Sequence, residues 1–157
     1  MAISSVDIIE IPLISVIFRL IVLHFQEKED ELFRFEEENL TDEQLLENIP
    51  NLTPVLVIKG RSLYDETATH AVALDKKILI PVNGVLDGIL LLFSLYYVFR
   101  VLYPDTLSRT LEFIQRCLLR MNPKTGHKRA SKKQKATPFD LKVKKFIDGL
   151  QQYIEHP

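Results

Sequence analysis

Val85 to Leu102 reads VLDGILLLFSLYYVFRVL, and the architecture turns on this stretch. Placed on a helix, Leu90, Leu91, Leu92, Phe93, Leu95, Tyr96, Tyr97, Val98 and Phe99 cover almost the full circumference, and a helix apolar all round belongs in a core. A membrane span is the competing reading. Gly88 to Phe99 is uncharged for only twelve residues, bounded by Asp87 and Arg100, whereas a hydrocarbon core of about 30 Å asks for about 20. Residues 85–102 are therefore expected to form a central apolar helix with the rest of the chain packed around it.

On the carboxy-terminal side, Tyr103-Pro104-Asp105 interrupts the run. Leu107, Leu111, Ile114 and Leu118 then fall at i, i+4, i+7 and i+11, an amphipathic helix that Asn122-Pro123 stops. Lys124 to Ala136 contains no large apolar residue and reads as a linker or exposed loop. Thr137-Pro138-Phe139-Asp140 places a capping Thr, a Pro at the first helical position and an acid in the first turn, so a final helix is expected from there to about Ile154. Its face of Phe139, Val143, Phe146, Ile147, Leu150, Tyr153 and Ile154 should dock on the other helices.

On the amino-terminal side, Ala71 to Val82 carries two apolar clusters around Asp75-Lys76-Lys77, closed by Pro81 and Asn83-Gly84, which fits a hairpin or one bent strand. Val55-Leu56-Val57-Ile58, between Pro54 and Gly60, reads as a buried strand. Thr41 precedes Asp42, Glu43 and Gln44 in the pattern of a capping box, opening a short helix to Ile49. Gln26 to Asn39 alternates acids with Leu32, Phe33 and Phe35 and reads as a solvated acidic helix or loop. Ile11 to Phe25 is strongly apolar. As a helix with Pro12 in its first turn it has a narrow polar stripe of Glu10, Ser15, Arg19 and His24, although its β-branched residues also suit a strand pair. Fifteen helical residues rise about 22 Å, too little to span a bilayer. Asp7 and Glu10 stand where a secretory signal would be basic, so the sequons at Asn39 and Asn51 are expected unmodified.

The whole has 157 residues, 46% hydrophobic and 26% charged, which suits one domain with a real core rather than wholesale disorder. A single cysteine, Cys117, allows no intrachain disulfide, and five glycines form no phosphate-cradling loop. The net charge of −1 conceals a division: fourteen acids against five bases up to His70, then seven against fifteen. Such halves attract each other or an outside partner.

Nucleophilic catalysis would need Cys117 beside His24, His70, His127 or His156, and no spacing brings them together; the expectation is no enzyme and no cofactor. The histidines also lack the close pairing of a metal site. The one patch with chemical content is Lys124, Lys128, Arg129, Lys132, Lys133 and Lys135, read as a candidate anion-binding or nuclear-import patch, set against a plain solvated loop. Asn122 to Pro138 has no aromatic residue for base stacking, so any nucleic-acid binding there is driven by charge and weakens with salt. Ser131 follows Lys128-Arg129-Ala130 as a candidate phosphosite, where a phosphate adds roughly −1.5 to −2 charge.

Leu52 to Tyr64, Leu90 to Pro104, Thr110 to Cys117 and Asn122 to Gly126 together resemble the carboxy-terminal region of a multi-copy vertebrate family labelled sterile alpha motif domain-containing. The likeness covers about residues 51–157 and contains no sterile alpha motif; it implies a helical module of a longer protein and assigns no site residue. The expectation is a single, mainly α domain with a small β element (α+β), compact around the central apolar helix at 85–102. Residues 1–50 form an apolar helix plus an acidic segment, and 51–157 a core module with the basic loop 124–136. A nearly all-apolar amino-terminal helix on so small a body leaves surplus hydrophobic surface, marking a protein partner or a homo-oligomer interface in a nuclear or cytoplasmic, non-catalytic interaction module. The alternative is a nucleic-acid-associated or nuclear protein using 124–135.

Overall fold

Val55 to Ile58 offers water no polar face, and the structure covers both sides of it. The computed structural model describes residues 7–62, 65–121 and 139–157. Phe33–Glu36 (β1), Val55–Lys59 (β2), Thr69–Leu74 (β3) and Ile78–Val82 (β4) form a four-stranded mixed sheet in that order. β1 runs parallel to β2 with Phe33 opposite Leu56; β2, β3 and β4 are antiparallel, with Leu56 opposite Val72 and Val72 opposite Ile80. Strand side chains alternate between faces. Leu56, Ile58 and Val72 enter the main core with residues of Asp7–His24 (α1) and Val85–Val98 (α3). Val55, Val57 and Ala73 pack on the other side with Leu45 and Ile49, from Asp42–Asn48 (α2) and its cap. A sheet covered on both faces explains why β2 lacks the usual polar alternation.

This corrects the expectation that the chain packs around a central apolar helix at 85–102. The fold is α+β, and the sheet is the layer on which the helices lie. α3 turns Ile89, Leu92, Phe93 and Tyr96 inward, while Leu86 and Val98 are exposed, so it is a one-sided helix on the sheet. It approaches closely at Gly88, where a Cβ would come within 2.5 Å of Leu56 Cδ1. It also stops four residues short of Leu102. Arg100 turns left-handed at φ 52°, its N–H donates to the Tyr97 carbonyl, and the Val101 N–H donates to that of Tyr96. That is a Schellman closure made without glycine, which an apolar run does not reveal.

The sequence signals elsewhere meet local structure. The Thr41 hydroxyl accepts from the Gln44 N–H at 3.3 Å and the Gln44 side chain accepts from the Thr41 N–H at 3.0 Å, the expected capping box. The segment 71–82 is a hairpin, β3 to β4, turning through left-handed Asp75 and Lys76. In the acidic segment a 3-10 turn, Glu29–Glu31, leads into β1, whose Phe33 is buried, so the stretch read as solvated supplies a sheet edge. Pro12 lies in the second turn of α1 rather than its first.

The amphipathic stretch after Pro104 begins as Ser108–Phe113 (α4) and continues as a π-helical turn, Ile114–Leu118. Leu107, Leu111 and Ile114 are buried, but the extra residue in that turn rotates Leu118 into the open. The last helix is Leu141–Glu155 (α5), capped by the Asp140 carboxylate, which accepts from the Lys142 and Val143 N–H groups. The expected Thr137 cap lies outside the described residues.

Candidate functional site

Lys124, Lys128, Arg129, Lys132, Lys133, Lys135 and Ser131 lie outside the described residues, as does His127. Cys117 is half-buried on the π-helical turn, and burial pushes its thiol up, away from the thiolate that nucleophilic chemistry needs. Burial pulls His70, half-buried on β3, below the ordinary histidine range. His156 follows α5 in the open, and His24 ends α1. Among the described residues no three His, Cys, Asp or Glu side chains gather as a metal site, and no helix is long and apolar enough to cross a membrane.

The structure concentrates its polar side chains where α1, α4 and α5 meet. Just beyond α1, the Glu27 carboxylate accepts from the Arg109 N–H at 2.8 Å and the Thr110 N–H at 2.9 Å, taking up two amides that a helix start leaves free. The Lys28 N–H donates to the Thr106 carbonyl at 3.0 Å. Arg109 reaches Asp140 at 3.2 Å, so the residue that caps α5 is itself held by α4. Glu112 pairs with Arg116 at 3.1 Å and accepts from the Asp140 N–H at 3.4 Å, and the Arg116 guanidinium lies 3.8 Å over the Phe139 ring. Nearby the buried Tyr103 hydroxyl donates to Gln115 at 3.0 Å, and burial drives that phenol well above its ordinary range. Charges paired under cover hold geometry more than they add stability. Their effect here is to fix the start of α5 beside the end of α1.

Beyond that clamp α5 leaves the body. Val143 is buried, Phe146 and Ile147 are half-buried, and Tyr153 and Ile154 are 73% and 75% exposed. α1 also presents a free ridge: Phe18, Ile21 and Val22 are inside, whereas Leu13 and Ile17 are exposed and Leu20 and Leu23 are each 59% exposed. Between the two helices runs an apolar groove of about 450 Å³, lined by Ile17, Phe18, Leu20, Phe113, Phe146 and Leu150 among others. At one end the His24 ring stacks on Phe146, centroids 4.3 Å apart, and a more open hollow of about 510 Å³ continues past Gln26, Lys142 and Lys145.

This groove, not the basic stretch, is the candidate site among the described residues. Its chemistry is that of an apolar docking surface, since no Asp, Glu, Lys or Arg lines it and His24 is its one polar side chain. The surplus apolar surface of α1 was legible in the sequence; its position was not, because buried Phe18 and exposed Leu20 look alike in an all-apolar run. No family model matches the chain, and neither a curated protein nor a solved structure resembles it closely enough to serve as a guide.

Proposed function

We propose that this chain is a non-catalytic protein-interaction module, acting in the nucleus or cytoplasm, that docks through the apolar face shared by α1 and α5. The observation that carries this reading is the exposure of Ile17, Leu20, Leu118 and Leu150 around one apolar groove, with Leu23, Tyr153 and Ile154 also exposed on the same two helices. Monomeric soluble proteins rarely leave contiguous apolar patches above a few hundred Å² open to water, and larger ones mark interaction sites. The clamp of Glu27, Arg109, Glu112 and Asp140 serves this role by presenting α5 at a set distance from α1.

Crosslinking mass spectrometry in native tissue extract tests the reading, because Lys142 and Lys145 line the open hollow that shares His24, Phe146 and Leu150 with the groove. Crosslinks from these lysines to another polypeptide, or to a second copy, are expected, and Ile17→Glu with Leu20→Glu should abolish them. Crosslinks unaffected by that pair, or their absence, overturn it. The competing reading rests on the lysine and arginine density of 124–135. It takes over if the tissue partners are nucleic acids held in a salt-sensitive way and are lost when Lys128, Arg129, Lys132 and Lys133 are neutralised.

A further inference from the structure

We infer that the free edge of β1 receives an extended, lysine- or arginine-bearing segment of a partner polypeptide as a further strand of the sheet. This surface is separate from the α1–α5 groove and goes beyond the reading above. β1 ends the sheet and pairs with β2 alone. The Leu56 N–H donates to the Leu32 carbonyl at 3.0 Å and the Gly60 N–H to that of Glu36 at 3.2 Å, so the even-numbered residues here turn their backbone groups toward β2. In a parallel ladder the residues between them face the other way. Phe33 and Phe35 therefore aim two N–H and two C=O groups at a side where, among the described residues, no strand pairs with them. An open row of this kind is a template for another chain.

The two edges of the sheet differ. β4, at the far edge, contains Pro81, which has no N–H to offer, and follows Lys76 and Lys77. β1 has no proline, and beside it lies a hollow of about 410 Å³ lined by Arg19, Glu29, Asp30, Phe33, Arg34 and Phe35. Phe33 and Phe35 share one face, yet Phe33 is 2% exposed and Phe35 43%, so core cover stops between them and aromatic surface stands open at the edge.

Charge names the occupant. Glu29 to Glu38 holds six acids and one base, Arg34, to which Arg19 of α1 adds a second. Arg19 pairs with Glu29, and Arg34 stands 4.0 Å from both Asp30 and Glu36, which leaves acid in excess at each end of the strand. Like charges opposite each other destabilise a strand pair, so the same edge of a second copy is rejected, as is the phosphate backbone of a nucleic acid. A segment with an apolar residue against Phe35 and Lys or Arg on either side of it meets aromatic surface, free backbone groups and acid together.

Fluorescence anisotropy of a labelled KKITVKK peptide, titrated with the full chain, tests this; the controls are EEITVEE and a KKITVKK peptide N-methylated at its central amides. The unmodified basic peptide should bind at least about tenfold more tightly than either control. In NMR spectra of the full chain it should move the Phe33 and Phe35 amides most. Asp30→Lys with Glu37→Lys, both exposed positions, should weaken KKITVKK by at least about tenfold and strengthen EEITVEE. Phe35→Pro removes an outward amide without touching a bond to β2 and should abolish binding; if that variant does not fold, the N-methylated peptide carries the same test. Equal binding of the N-methylated peptide, or amide shifts that are largest away from β1, means that charge alone holds the peptide and overturns the added strand. Equal binding of EEITVEE overturns the basic occupant, and no binding of KKITVKK at millimolar concentration overturns both. Ile17→Glu with Leu20→Glu should leave this binding unchanged, so the β1 edge and the α1–α5 groove stand or fall separately.

Discussion

α1 and α3 are written in nearly the same alphabet and end in different situations. α3 lies on the sheet, so Ile89, Leu92, Phe93 and Tyr96 find Leu56 and the inner face of α1, and burial is complete at those positions. α1 lies at the margin of the same layer, where Phe18, Ile21, Val22 and Phe25 are covered and the opposite ridge is left to water. Apolar composition alone therefore does not say whether a helix fills an interior or advertises a surface. What decides is how many of its sides have a neighbour.

The sharpest way to break this contrast is to truncate one leucine on each helix. Leu92→Ala removes a fully buried side chain and should cost about 2 to 5 kcal/mol in urea unfolding, whereas Leu20→Ala in dilute monomer should stay within about 0.5 kcal/mol. A large cost at Leu20 under those conditions would mean that its ridge is already covered. A middling effect is expected at the joint that sets α1 against α4 and α5: Glu27→Gln weakens the carboxylate bonds to the Arg109 and Thr110 amides and should cost about 1 to 2 kcal/mol. Faster amide hydrogen exchange at Arg109 and Thr110 checks that the loss is local.

The smallest effect serves as a reference outside both helices. The Asp65 carboxyl is held down at about 2, first by the Thr67 hydroxyl and then by the Arg61 and Thr67 backbone amides. A depressed carboxyl contributes fully above its unfolded value near 3.8 and loses that contribution as pH falls through about 2. An NMR titration should show the Thr67 amide shift moving in that window and not in Asp65→Asn. The difference between Leu92→Ala and Leu20→Ala should stay unchanged from pH 7 down to about 4, because it arises from area and not from charge.

Much of the local structure could be read in advance where a short motif carries its own partners. Thr41 and Gln44 satisfy each other, Asn83-Gly84 and Asp75-Lys76 mark turns, and Val55 to Ile58 has no face for water. Errors arose where the partner is distant or the signal unusual. The strand Phe33–Glu36 pairs in parallel with residues more than twenty positions away, so its four residues carry no hairpin turn and looked like part of an acidic loop. The end of α3 is set by a left-handed Arg100, and the exposure of Leu118 by a π-helical turn, neither of which hydrophobic spacing encodes. Of the candidate site, α1's excess of apolar surface was visible and the groove was not. α5 was expected to dock on the other helices by its apolar face, and Val143, Phe146 and Ile147 do pack there, whereas Tyr153 and Ile154 are exposed.

The sequence by itself determined that this chain has a buried strand, several helices richer in apolar residues than a small body can hide, and a carboxy-terminal excess of base, since these follow from local propensity, period and count. Only the tertiary structure decided that a four-stranded sheet is the layer on which the helices lie, that α3 is covered on one side, and that α1 and α5 line a groove between them. The physical reason is that burial belongs to neighbours. Whether a leucine is inside depends on contacts between segments distant in the chain, and identical residues a turn apart can fall on opposite sides of that boundary.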